Sequence, residues 1–214
     1  MKCLRPELKD IPLRMEHLPL DERGYPIPAF VDIIEGQRDF RFMSLRHWSR
    51  CVREKLCWVC GDKLGGFLTF VIGPMCAINR TTSEPPCHRE CARWSAQFCP
   101  FLSRPHMVRR EDELSERAQE NVAGTAILRN PGATCIWVCR SYRIFDDGKG
   151  RSLIEIGDPI EVEWWAEGRK ATRAEVEESI RTGLPYLEAM AREDKGALEE
   201  LARMTRAIEP WLPG

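Results

Sequence analysis

The chain has 214 residues, 43% of them hydrophobic, enough to bury a core without a metal and to form one large domain or two small ones. With 32 Lys/Arg against 33 Asp/Glu, no global field draws it to nucleic acid or to a membrane. The start, Met1-Lys2-Cys3-Leu4-Arg5-Pro6-Glu7, lacks the apolar stretch of an export signal, and no run reaches membrane-spanning length. The expectation is a cytoplasmic protein whose ten cysteines serve as metal ligands and buried thiols rather than as a disulfide framework.

Five prolines fall in the first thirty residues (Pro6, Pro12, Pro19, Pro26, Pro28), which predicts an extended arm lying across the domain, with a turn at Arg23-Gly24-Tyr25-Pro26. Phe30 to Ile34 and Asp39 to Phe42 read as a hairpin turned by Glu35 to Arg38. Ser44 can cap a helix with Leu45, Trp48, Val52 and Leu56 on its apolar face.

That helix delivers the chain to the densest group of chemical residues. Cys57-Trp58-Val59-Cys60-Gly61 is a C-x-x-C turn; after an apolar run from Phe67 to Ile72 and Gly73-Pro74, Ser83-Glu84-Pro85-Pro86-Cys87-His88-Arg89-Glu90-Cys91 supplies a second close pair. Cys57, Cys60, His88 and Cys91 suit one tetrahedral zinc with three thiolates and an imidazole, with Cys76 or Cys87 able to replace His88. Ser83 can cap the following helix, and Pro85 and Pro86 fit its entry, with Cys91, Trp94 and Phe98 on one stripe. Knuckle, hairpin, then ligands on a first helical turn is the order of a treble-clef zinc finger. Cys51, Cys99, Cys135 and Cys139 read as packed core thiols.

Charge is divided unevenly. Gly36 to Arg110 holds 13 Lys/Arg against 5 Asp/Glu, and Glu111 to Gly214 holds 14 against 21. Within the basic half, Asn79 and Arg80 after the Gly-Pro turn, together with Arg89 and Arg93, form a candidate surface for phosphate or an acidic protein face. Trp48, Trp58 and Trp94 suit packing; base stacking by Trp58 requires that it be exposed.

Past Cys99-Pro100, residues Arg104 to Arg110 read as a basic connector and Glu111 to Val122 as a polar, weakly helical stretch ended by Gly124, which places any boundary between units 1–110 and 111–214 here. Strands follow: Ile136 to Tyr142, a turn at Asp146 to Gly150, a return from Leu153 to Ile156, and Ile160 to Trp164. Thr172-Arg173-Ala174-Glu175 is a capping box opening a helix that Gly183 should close. Leu184, Leu187 and Met190 mark a second helical piece, and Leu198, Leu201, Ala202 and Ile208 a third, halted by Pro210. The predicted fold is α+β: a treble-clef-like zinc unit followed by a small antiparallel sheet with C-terminal helices, the two units sharing one core or standing apart.

Three chemistries compete with structural zinc. A redox dithiol needs a thiolate at a helix N-terminus, whereas here a helix precedes the C-x-x-C and Gly61 follows it. His88-Arg89-Glu90 matches the H-x-E of zinc deaminases, but their C-x-x-C comes later in the chain. An HNH-type nuclease needs further histidines, and only His17, His47 and His106 are left.

The blocks Arg23-Gly24-Tyr25-Pro26, Leu56-Cys57-Trp58-Val59-Cys60-Gly61, Gly73-Pro74-Met75-Cys76, Asn79-Arg80, Ser83 to Cys91 and Cys99-Pro100-Phe101-Leu102, with Gly168 to Val176 and Gly183-Leu184-Pro185, together resemble an uncharacterised family encoded in bacterial and phage or prophage genomes. The resemblance covers most of the chain. It implies a phage-type accessory protein that binds host or phage macromolecules. The expected function is therefore a zinc-stabilised protein that meets a host or phage protein, or nucleic acid, through a basic surface near the zinc helix, with no catalytic residues. The competing class is a zinc-dependent hydrolase acting on nucleic acid or nucleotide, with Asn79, Arg80, Glu84 or Glu90 near the chemistry.

Overall fold

The computed structural model describes residues 3–34, 36–104 and 130–214. The expected basic connector and polar helical stretch, with the expected unit boundary, lie outside these residues apart from Arg104. The architecture is α+β, with three small antiparallel sheets and several helices.

The arm runs without regular structure except for a short 3-10 turn, Leu13–Met15, and sends Leu8, Met15 and Leu18 into the interior. Its turn needs a glycine: Gly24 has φ +81°, and a Cβ there would lie 2.7 Å from the Cys3 carbonyl oxygen. Strands β1 (Val31–Ile34) and β2 (Gln37–Met43) pair as the expected hairpin. Helix α1 (Leu45–Glu54) begins where Ser44 Oγ accepts from His47 N at 3.3 Å and ends at Lys55 in the left-handed region. Its buried residue is Cys51, with Trp48 packed beside it, while Leu45 stays exposed.

The central sheet is ordered β3-β5-β8-β9, from β3 (Leu68–Ile72), β5 (Thr134–Cys139), β8 (Glu161–Ala166) and β9 (Arg169–Lys170). A second sheet is ordered β4-β7-β6, from β4 (Thr81–Thr82), β6 (Tyr142–Asp146) and β7 (Ser152–Ile156). Every residue of β5 is buried, because both of its faces are covered. Cys135, Trp137 and Cys139 point into one core with Phe70, Ile72, Trp164 and the C-terminal helices. Ile136 and Val138 point into a second core with the arm, the Cys57–Cys60 turn and the zinc-motif helix. Since β3 belongs to the first half of the chain and β5 to the second, the two halves share one sheet and both cores.

Four local expectations are corrected. The apolar run after the C-x-x-C turn does not fold back as a hairpin: β3 pairs with β5, and Gly73-Pro74 opens a helix, α2 (Pro74–Asn79), with Pro at N1. Ser83 is not the cap of the next helix. That helix, α3 (Arg89–Phe98), starts with His88 as its N-cap and is followed by the short α4 (Pro100–Ser103).

The strand expected from Ile136 to Tyr142 breaks at Arg140–Ser141 and changes sheets, so β6 and β7 form a hairpin joined to β4 while β8 returns to β5. Finally, Gly183 does not end a helix. From the Thr172/Glu175 capping box, α5 (Arg173–Ala191) runs through Gly183 and Pro185. A Cβ on Gly183 would lie 2.9 Å from Met75 Sδ, so the glycine lets α5 pack closely on α2. Helix α6 (Ala197–Ala207) buries Leu201, and a terminal 3-10 turn, Glu209–Trp211, covers the sheet through a 2.8 Å bond from Trp164 Nε1 to the Trp211 carbonyl.

Candidate metal centre

The Cys57–Cys60 turn is closed by backbone bonds before any metal is considered. Gly61 N donates to Cys57 O at 2.9 Å, Cys57 N to Asp62 O at 2.7 Å, and Leu56 bridges Lys63. Gly61 supplies φ +82° for the reversal. Cys57 Sγ accepts from two amides, Cys60 N and His88 N, both at 3.4 Å, so one sulfur is held by both halves of the motif. On the other side, Thr69 and Cys87 exchange backbone bonds at 2.7 and 3.2 Å, which fixes the chain entering α3 against β3.

This frame brings Cys57, Cys60, His88 and Cys91 together, all buried, with their donor atoms within 4.8 Å of one another. Cys60 Sγ lies 3.4 Å from His88 Nδ1. Tetrahedral coordination at ordinary metal–sulfur and metal–nitrogen lengths sets neighbouring donors roughly 3.5–3.8 Å apart, so the group fits one ion. His88 Nε2 donates to the Lys63 carbonyl at 3.0 Å, which orients Nδ1 toward the sulfurs as a metal-bound histidine requires.

The four groups are also coupled electrostatically. Burial raises the Cys57 thiol, yet hydrogen bonds from Cys60, Cys91 and His88 bring it far below the ordinary range. Cys91, bonded to those sulfurs and buried, is pushed up. Burial lowers His88, but its bonds to Cys57 and Cys60 outweigh that and carry it up to about 10. A divalent ion would take the place of the protons these groups share, held by three thiolates and a neutral imidazole.

The alternative ligands point elsewhere. Cys87 Sγ donates to the Thr69 carbonyl at 3.3 Å, and Cys76 packs against the core on the other face of the sheet. Cys51, Cys135 and Cys139 are buried thiols, and Cys99 is half-buried. Cys51 is pushed up to about 12 by burial and the nearby Cys57.

Two further histidines brace the turn, and spacing alone did not reveal them. His17 Nε2 donates to the Cys60 carbonyl at 3.0 Å. His47 sits 3.2 Å from Cys51 Sγ and stacks on the Trp58 ring at 5.5 Å; Phe30 also stacks on that ring, at 5.0 Å. Trp58 is therefore buried and unavailable to a base. Among the described residues His17, His47 and His88 all contact this turn.

Glu90, the acid of the H-x-E match, is paired with Arg14 at 2.9 Å along an open groove of about 640 Å3 lined by Asp10, Pro12, Leu13, Arg14, Glu90, Arg93, Trp94, Gln97 and Phe98. Glu84 N is bonded to Thr82 Oγ1 at 3.2 Å.

The four candidate surface residues are separated. Asn79 Oδ1 accepts from Thr81 N at 2.9 Å, and Arg80 pairs with Asp158 at 2.7 Å while lying over Trp137, on the α2 side of the sheet. Arg89 and Arg93 lie on the α3 side, where Arg89 pairs with Glu161 at 2.8 Å and Arg93 pairs with Glu161 and Glu163. These residues tie helices and turns to the sheet. Comparison of the chain with protein-family models, with curated proteins and with solved structures finds no match. No helix among the described residues is long and apolar enough to cross a membrane.

Proposed function

We propose that the protein is a zinc-stabilised binding protein in which a structural Cys3His zinc site holds the surrounding fold in place for a macromolecular partner, met through cations other than the paired Arg80, Arg89 and Arg93. The observation that supports this reading most is the donor set: four buried side chains whose donor atoms lie close together would, around one ion, fill a tetrahedral shell and leave no place for a substrate water. Three thiolates and one imidazole favour zinc over harder cations such as magnesium or calcium. The C-x-x-C turn and the donors at the start of a helix agree with a treble-clef-like unit, although the strand between them serves the central sheet. The resemblance of the motif blocks to proteins of phage and prophage genomes favours a host or phage macromolecule as the partner in this reading.

Cobalt substitution tests the closed shell. Cobalt-loaded protein should show thiolate charge-transfer bands and a tetrahedral ligand-field spectrum that azide leaves unchanged. A spectrum that shifts with azide reveals an open coordination position and favours the hydrolase instead.

A further inference from the structure

Lys63, whose carbonyl receives the His88 Nε2 proton, begins an exposed loop that leads through Gly65 and Gly66 to Phe67 and into β3. Phe67 is 46% exposed, and Arg89, next in the chain to His88, reaches its ring. Two guanidinium groups lie over its ring: Arg140 with Cζ 3.9 Å from the centroid and Arg89 with Cζ 5.4 Å. The roles of the two arginines differ. Arg89 is neutralised by Glu161 at 2.8 Å, whereas Arg140, exposed at the end of β5, has no carboxylate partner among the described residues, and neither has Lys63.

A Cβ on Gly66 would come within 3.3 Å of Arg140 Nη1, so this glycine keeps the backbone low enough for Arg140 to lie across it. Nothing lies within 4 Å of a Cβ placed on Gly65, which leaves the backbone there open. An exposed aromatic ring with a guanidinium plane on it, free cationic charge and bare backbone form a preordered stacking platform with phosphate partners beside it.

We propose that this Phe67–Arg140 tip binds single-stranded nucleic acid, with an unpaired base stacking on the Phe67–Arg140 pair and phosphates meeting Arg140 and Lys63. The proposal rests on the reading of the protein as a metal-stabilised binding protein and names its ligand class. An acidic peptide could use the cations but has no need of the planar pair, and duplex bases are already stacked on one another.

Fluorescence anisotropy of the full metal-loaded chain with labelled oligo-dT and oligo-rU of about 16 nucleotides tests it. Polyglutamate of equal charge and a duplex of the same length serve as competitors. Binding should weaken steeply as salt rises from about 50 to 200 mM. Phe67→Ala should weaken it about tenfold or more. Arg140→Ala should weaken it about fivefold. Arg181→Ala, whose guanidinium is held by Glu178 on α5, should leave it unchanged, as should the metal content of every variant. Strand binding that survives Phe67→Ala and Arg140→Ala overturns the tip but leaves another basic surface open. Polyglutamate binding that these variants abolish, without strand binding, overturns the nucleic-acid class while retaining the surface. Binding of neither probe at low salt overturns the proposal, and the cobalt–azide spectrum then reports separately on the closed shell.

Discussion

His88 Nε2 donates to the backbone carbonyl of Lys63 at 3.0 Å, and the same ring turns Nδ1 to within 3.4 Å of Cys60 Sγ. One imidazole thus joins the loop after the C-x-x-C turn to the metal donors, whereas its neighbour Cys87 donates its thiol proton to the Thr69 carbonyl and is turned away from them. His88→Ala should abolish stoichiometric metal binding, whereas Cys87→Ala should retain one ion per chain and cost no more than about 1–3 kcal/mol. Plasma mass spectrometry of the purified variants checks both; metal loss in Cys87→Ala with retention in His88→Ala would reverse the assignment.

Metal removal should loosen one face of the sheet more than the other. The four ligands belong to the core that holds the arm and α3, while Trp137, Trp164 and the C-terminal helices pack on the opposite side. After chelation, hydrogen exchange should accelerate across the arm, the Cys57–Cys60 turn and the start of α3, with α5 and α6 still protected. Uniform loss of protection would show that the two cores unfold as one unit.

Glu163 carries a pH signature. Burial raises its carboxyl, but bonds from Arg93, Lys170 and Trp165 Nε1 outweigh this and hold it at about 2, against an ordinary 4.5. Its folded value is depressed, so its contribution is complete above the unfolded value and is lost as pH falls toward 2. Since Arg93 and Lys170 are substantially exposed, Glu163→Gln should cost only about 1–2 kcal/mol at pH 7. The difference from the parent should shrink in denaturant titrations between pH 4.5 and 2. Acid loss of the metal affects both proteins and cancels in the difference. A gap that stays constant to pH 2 contradicts the ion-pair account.

Close packing of α5 on α2 predicts that Gly183→Leu lowers Tm by about 4–10 °C through overpacking against Met75, with metal content unchanged. Met75→Ala in the same chain should recover part of the loss. If the two substitutions act additively, the Gly183–Met75 approach is not the cause.

The local pattern of the chain was legible where one rule acts alone. Ser44 and the Thr172/Glu175 box cap helices as their residue types require, and the close Cys57/Cys60 and His88/Cys91 pairs converge. Long-range pairing was not legible, because strand alternation does not identify a strand's partner: the run Leu68–Ile72 crosses to Thr134–Cys139 instead of folding on itself. Gly183 misled because a glycine that permits close packing and one that ends a helix look alike until Met75 is placed. Arg89 and Arg93 read as free charge because their partners, Glu161 and Glu163, lie some seventy positions away. His17 and His47 carried no motif at all; one braces the turn through the Cys60 carbonyl and the other through the Trp58 ring, and the spacing of side chains along the chain records neither contact.

X-ray absorption at the zinc edge on purified full-length protein, with metal quantified on the same sample, tests the central claim most directly. One zinc per chain with a first shell of three sulfurs and one imidazole nitrogen is the predicted result. No zinc, or a zinc with an oxygen ligand and fewer sulfurs, would contradict the closed Cys57, Cys60, His88, Cys91 site and return hydrolytic or thiol chemistry to first place.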